Sequence, residues 1–141
     1  MEINIYKYII NDNINKRFLT FISIGVIDTF LDIGLFTFLI STFGRSSEKI
    51  VILNLISFST IVLLSFYLNG KFTFKDKNLT KKKLIKYYAS SSFGMFLNTL
   101  IVTLLMINFG LGTIISKIIS ACVVVFYNYI MSKKYIFGES K

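Results

Sequence analysis

Two nine-residue stretches hold the residue types that bind an anion at a membrane surface. Phe66–Phe74 reads FYLNGKFTF, and Tyr129–Phe137 reads YIMSKKYIF, sixty-three residues later. In register, Phe66 meets Tyr129, Asn69 meets Ser132, Lys71 meets Lys134, Phe72 meets Tyr135 and Phe74 meets Phe137. A lysine ammonium beside an amide or hydroxyl donor grips a phosphate, while neighbouring rings pack a lipid chain or a sugar face. One copy alone is what any interfacial anchor shows, because aromatics and cytoplasmic lysines collect there. Two copies, each following a polar helical turn, argue for a binding role beyond anchoring.

The apolar runs between these stretches contain a second set of chemical groups. The first run has Gly25, Asp28 and Asp32 at i, i+3 and i+7, on one helix face. The second has Asn54, Ser57, Ser65 and Asn69, the third Ser91, Gly94 and Asn98, and the fourth Lys117, Ser120, Asn128 and Ser132. About 15 apolar residues in the first run favour insertion by around −7 kcal/mol, and two central aspartates nearly cancel that. The carboxyls therefore need protonation, a partner or a wet cavity. Lys117 is the one cation within the runs, and the expected partner is Asp32, the aspartate nearer its end of the bundle. Asp28, Asp32, Asn54, Asn98 and Lys117 make a candidate polar path. The plainer reading keeps the ion pair structural and gives the glycines and serines to helix packing, as in Ser90-x-x-x-Gly94.

These residues are placed by four apolar runs, about 18–41, 50–69, 87–108 and 112–131, each near the 20 residues that cross a bilayer. A composition of 54% apolar residues in 141 leaves little for a soluble domain, so the expected class is all-α and polytopic. The chain has no histidine and only Cys122, so zinc and thiolate clusters are excluded, and no metal or other cofactor is expected. The net charge of +9 is distributed between the apolar runs, not along one soluble face, which argues against nucleic acid. The first seventeen residues lack an apolar signal core, so no removable signal peptide is expected.

Charge counting sets the expected topology. Thirteen lysines and arginines lie in segment 1–17, in loop 70–86 and after the fourth run, against Arg45 and Lys49 on the other side. Both termini and the central loop are therefore expected in the cytoplasm. The run Lys81–Lys83 is expected on anionic head groups, at about 1 kcal/mol per charge. Arg17–Phe18 enters the first helix as Lys86–Tyr87 enters the third, and Ser23-x-Gly25 matches Ser92-x-Gly94. The four spans thus divide into two two-helix repeats. Two crossings per repeat make them parallel, about an axis along the membrane normal.

With these motifs the chain resembles the GtrA-like family of membrane proteins. The resemblance covers roughly residues 16–137 and rests on RFLTFISIGVIDTFLD, FYLNGKFTF, KYYASSSFGMFLNT and SKIISACVVVFYNYIMSKKYIF. It implies a four-span membrane domain, residues 18–137, with a short tail at 138–141. It also implies translocation of an undecaprenyl-phosphate-linked sugar in the bacterial cytoplasmic membrane, for cell-surface polysaccharide or teichoic-acid glycosylation. Carried onto this chain, the motif positions are Asn69, Lys71, Phe72 and Phe74, then Asn128, Ser132, Lys134, Tyr135 and Phe137, with Lys117 at a basic position of the fourth helix. Phe72 and Tyr135 stand where tryptophan is frequent, and Ser132 where asparagine is usual. No covalent chemistry is implied. The expected partners are the lipid-linked sugar, anionic lipids, a membrane glycosyltransferase and further copies of the chain.

Two alternatives remain at this stage. One is a small multidrug-type exporter with Asp28 or Asp32 as the proton-coupling carboxylate, which the basic loop and doubled motif fit poorly. The other is an accessory anchor for a glycosyltransferase, in which the polar stripes only pack helices.

Overall fold

Long apolar segments punctuated by glycine turns become helices because a bilayer offers the backbone no hydrogen-bond partner. The computed structural model describes residues 12–44 and 46–138. Its long helices are α1 (Asp12–Phe43), α2 (Ser47–Leu68), α3 (Lys81–Phe109) and α4 (Thr113–Met131). All four are long and apolar enough to cross a membrane, and no strand occurs among the described residues. The chain is a multi-pass, all-α membrane protein. Lys7, Arg45 and Lys141, which carry part of the charge asymmetry, and tail residues 139–141 lie outside the described residues.

The chain divides into two compact units between Lys77 and Asn78, each a helical hairpin. In the first, α1 packs on α2; in the second, α3 packs on α4. Both hairpins reverse through a glycine in the left-handed region, Gly44 at φ 91° and Gly110 at φ 62°, where a side chain would be strained. Lys49 Nζ donates to the Phe43 carbonyl at 2.8 Å, placing a cation on the negative end of α1. The helices bury little of their apolar surface: Phe30, Ile107 and Ile114 are each more than 70% exposed, a surface that lipid tails must cover.

The helix starts differ from those read in the sequence. Helix α1 already includes Lys16 and Arg17. Helix α3 begins at Lys81, because the Thr80 hydroxyl accepts from the Lys83 backbone N–H at 3.3 Å and caps it. The central loop is accordingly shorter than residues 70–86. Lys83, expected on head groups, is buried and donates to the Asn78 carbonyl at 3.1 Å, while Lys81 and Lys82 are exposed.

The two hairpins carry matching contacts, in a register that differs from the one read in the sequence. Phe21 meets Phe74 edge-on, with centroids 6.2 Å apart, and Tyr87 meets Phe137 at 6.0 Å. Ser57 reaches Asp32, and Ser120 reaches Asn98. These contacts align Phe21 with Tyr87 and Asp32 with Asn98, the same spacing as Gly44 to Gly110. Gly94 then corresponds to Asp28, not to Gly25. The surroundings agree: a Cβ on Gly94 would lie 2.9 Å from Asn128 Oδ1 and 3.3 Å from Val124 Cγ1, whereas one on Gly25 meets nothing within 4 Å. Thermal unfolding in detergent is expected to show Gly94→Leu destabilised by about 1–3 kcal/mol through overpacking. Gly25→Leu is expected within about 0.5 kcal/mol of the parent. Equal losses at the two positions would restore the register read from the sequence.

Candidate functional site

At the basic end of each hairpin the second helix does not simply stop. It widens into a π-turn, Asn69–Thr73 in the first hairpin and Ser132–Ile136 in the second. The closing bonds match, with Phe74 N–H to Asn69 O and Phe137 N–H to Ser132 O both at 2.9 Å. A π-turn inserts one residue into the α-helical repeat and re-aims the side chains beyond it, and such turns are frequent at functional sites. Here the turn residues split into two sets. Asn69, Thr73, Ser132 and Ile136 are buried against their own hairpin. Lys71, Phe72, Lys134 and Tyr135 point outward, and Phe72 and Tyr135 share the same 55% exposure.

The outward set is the lysine–aromatic pair expected from the motif. Lys71 Nζ lies 3.4 Å from Tyr67 Oη and 5.5 and 5.6 Å from the Tyr67 and Phe72 ring centres. In the second hairpin the ring-contacting cation is Lys133, 5.9 Å from the Tyr129 centroid. Lys86 Nζ donates to the Tyr135 carbonyl at 3.3 Å, at the edge of the second π-turn. Each hairpin thus holds cations over aromatic faces at one end, an arrangement that suits a phosphate attached to an apolar or sugar group. Phe74 and Phe137, the last motif positions, instead pack inward on α1 and α3 through the ring pairs described above.

The inward set of the first hairpin forms a directed hydrogen-bond chain. Thr73 Oγ1 donates to Asn69 Oδ1 at 2.9 Å, and Asn69 Nδ2 donates to Ser65 Oγ at 3.2 Å. Ser65 in turn shares a side-chain hydrogen bond with Asp28. The i, i+4 spacing of Ser65, Asn69 and Thr73 stacks them along one face of α2 and its π-turn. The sequence reading found Ser65 and Asn69 but missed Thr73, although this spacing was there to be read. The Asn69 amide is used within the hairpin and holds the π-turn whose outer side presents Lys71.

Deeper in the membrane, Ser57 Oγ sits 2.5 Å from Asp32 Oδ1 and 3.1 Å from the Asp32 carbonyl. In the second hairpin Ser120 Oγ reaches the Asn98 carbonyl at 3.0 Å and the Asn98 side-chain oxygen. Both serines are fully buried, so one hydroxyl serves backbone and side chain across each hairpin. Asp28 is also buried, and its Oδ1 has no hydrogen-bond partner. Asn54 and Lys117 are exposed. Among the described residues no group of three histidine, cysteine or acidic side chains is close enough to hold a metal.

The family model for the GtrA/DPMS transmembrane domain matches residues 20–137. No curated protein matches the chain with significance. Asn69→Leu removes both the acceptor and the donor at the centre of the buried chain. Its unfolding midpoint in an SDS titration is expected to fall by the equivalent of about 1–3 kcal/mol. An unchanged midpoint would return Asn69 to a pure ligand-binding role.

Proposed function

Because the chain belongs to the family of GtrA/DPMS transmembrane domains, we propose that it moves a polyprenyl-phosphate-linked monosaccharide between membrane leaflets. The carrier we infer is undecaprenyl phosphate, in the cytoplasmic membrane of a bacterium, with the sugar destined for a cell-surface polysaccharide or teichoic acid. Both termini and the basic ends of the hairpins lie on the cytoplasmic side in this reading, following the lysine and arginine distribution.

The observation that carries the proposal is the pair of π-turns. Each presents an exposed lysine followed by an exposed aromatic, on a turn held by buried neighbours. Lys71 and Lys134 dock the phosphate, and Phe72 and Tyr135 flank the chain or sugar. Asp28, Asp32, Asn54, Asn98 and Lys117 supply polar contacts for the sugar as it passes, while the polyprenyl chain stays in lipid. An ion pair between Asp32 and Lys117 belongs to this proposal, as does the descent of the two hairpins from one repeat. Moving the head group through bare hydrocarbon costs several kcal/mol per unsatisfied polar group, and this path lowers that cost. No bond is made or broken, so no catalytic residue is assigned. Further copies of the chain complete the path. A membrane glycosyltransferase supplies the lipid-linked sugar.

The test is redistribution of a labelled undecaprenyl-phosphate sugar in proteoliposomes containing the purified chain. Redistribution faster than in protein-free vesicles is expected. The double variant Lys71→Ala, Lys134→Ala is expected to slow it about tenfold or more, the loss of one or two charge-assisted bonds. Wild-type protein that captures a glycosyltransferase but never exceeds the protein-free rate overturns the proposal in favour of an accessory anchor.

A further inference from the structure

The matching contacts of the two hairpins make their differences informative, and those differences gather at one place. Between α3, α4 and the second π-turn lies a groove of about 410 Å³, walled by Lys86, Ala89, Ser90, Tyr127, Met131 and Tyr135. Its lining is mostly apolar, with the Lys86 ammonium, the Ser90 hydroxyl and the Tyr127 and Tyr135 side chains as its polar members. Tyr127 is steadied by Phe93, with ring centres 5.4 Å apart.

Ser90 is the unusual member. Elsewhere in these helices Thr20, Ser23, Thr29, Thr42, Thr60, Thr99 and Ser116 each donate to the carbonyl four residues earlier, which satisfies the hydroxyl without outside help. Ser90 does not. It is 93% buried, and its Oγ has no hydrogen-bond partner. One turn further along α3, beside Gly94, Asn128 Oδ1 is buried and unpartnered as well. A buried polar atom left this way is costly unless something else completes it.

The corresponding positions of the first hairpin carry different chemistry. Ile24 is buried in the position of Ser90, and Thr20, already bonded to Lys16 O, stands in the position of Lys86. Thr73 begins the hydrogen-bond chain there, whereas Ile136 in the second hairpin has no hydroxyl to begin one. Where the second hairpin has Gly94, the first has Asp28, whose unpartnered Oδ1 is an acceptor. Each hairpin thus carries a buried, unpartnered acceptor, Asp28 Oδ1 or Asn128 Oδ1, and the difference that favours a phosphate oxygen is the ammonium of Lys86 and the hydroxyl of Ser90 in the second.

We infer that the second hairpin alone holds the lipid phosphate at rest, before the head group passes to Lys71 and Lys134. The phosphate lies between Lys86 and Ser90, and the first isoprene units run along Ala89, Tyr127 and Met131. This assignment rests on the proposed translocation for the identity of its ligand, and it gives the two hairpins unequal parts. A low-dielectric groove strengthens the ammonium–phosphate attraction relative to open interface. It also accounts for the Ser90 hydroxyl, which gains an acceptor on binding.

Binding of radiolabelled undecaprenyl phosphate to the full chain in phosphatidylcholine nanodiscs tests the assignment without requiring transport. Lys86→Ala is expected to weaken binding about tenfold or more, and Ser90→Ala several-fold, with Lys86→Arg close to wild type. Thr20→Ala, at the corresponding place in the first hairpin, is expected to stay within about twofold. An excess of inorganic phosphate or of phosphatidylglycerol is expected to displace little probe, which separates a lipid monophosphate from a free anion or a general anionic head group. Full displacement by either competitor overturns the assignment, as does a larger loss from Lys71→Ala than from Lys86→Ala. A chain that binds through Lys86 but does not flip the lipid-linked sugar keeps this site and removes the translocation.

Discussion

A hydroxyl buried between two membrane helices must find an acceptor on its neighbour or on its own backbone, because lipid offers none. Ser57 and Ser120 meet that constraint across their hairpins, each reaching the carbonyl and the side-chain oxygen of one residue opposite. Their contact sets where α1 lies along α2 and where α3 lies along α4. Once Asp32 and Asn98 are held there, Phe21 falls against Phe74 and Tyr87 against Phe137 several turns away. The buried serine is therefore the fixed point of each hairpin, and the basic end follows from it.

The π-turn adds what a straight helix end lacks. Had α2 continued with α-helical bonding, Asn69 and Thr73 would still face inward, but nothing would separate them from the lysine and aromatic between them. The wider turn accommodates Lys71 and Phe72 on the outside while Asn69 and Thr73 stay buried and bonded. The second hairpin reaches the same geometry with Ser132 and Ile136, without the amide–hydroxyl bond. The turn is thus favoured by backbone and packing, and the Thr73–Asn69–Ser65 chain is an addition in the first hairpin only. A hydrogen-bond chain through Thr73, Asn69 and Ser65 in one hairpin and an unpartnered Ser90 hydroxyl in the other make two similar folds chemically unequal.

Much of this was legible in the residues. Four spans follow from apolar runs of bilayer length, and the doubled basic-aromatic ends were visible because local sequence determines the π-turn in both hairpins. The register of α1 against α3 was not legible. Ser-x-Gly is short, and glycine in a membrane helix occurs both where a neighbour presses close, as at Gly94, and where nothing does, as at Gly25. Only the partner across the hairpin distinguishes the two, and that partner is a long-range fact. Lys83 was misplaced for a related reason: a run of three lysines looks uniformly solvated until Thr80 starts a helix beneath it and turns one of them inward. The burial of Asn69 belongs here too, since an amide beside a lysine has the composition of a ligand site whether or not its own neighbours already bind it.

Asn54 and Lys117 show how the same constraint extends beyond the single hairpin. Each stands three residues before the fixed serine of its helix, and each is exposed. A lysine within a span costs about 2.5–3.5 kcal/mol against hydrocarbon, and an amide there also needs partners. That cost is too large to be left to lipid tails on a helix that already exposes most of its apolar surface. The outward faces of α2 and α4 at this depth must therefore meet protein, water or a polar cargo. Hairpins that satisfy themselves internally at Ser57 and Ser120 thus leave an exposed amide and an exposed ammonium one turn away, a demand that hydrocarbon alone does not meet.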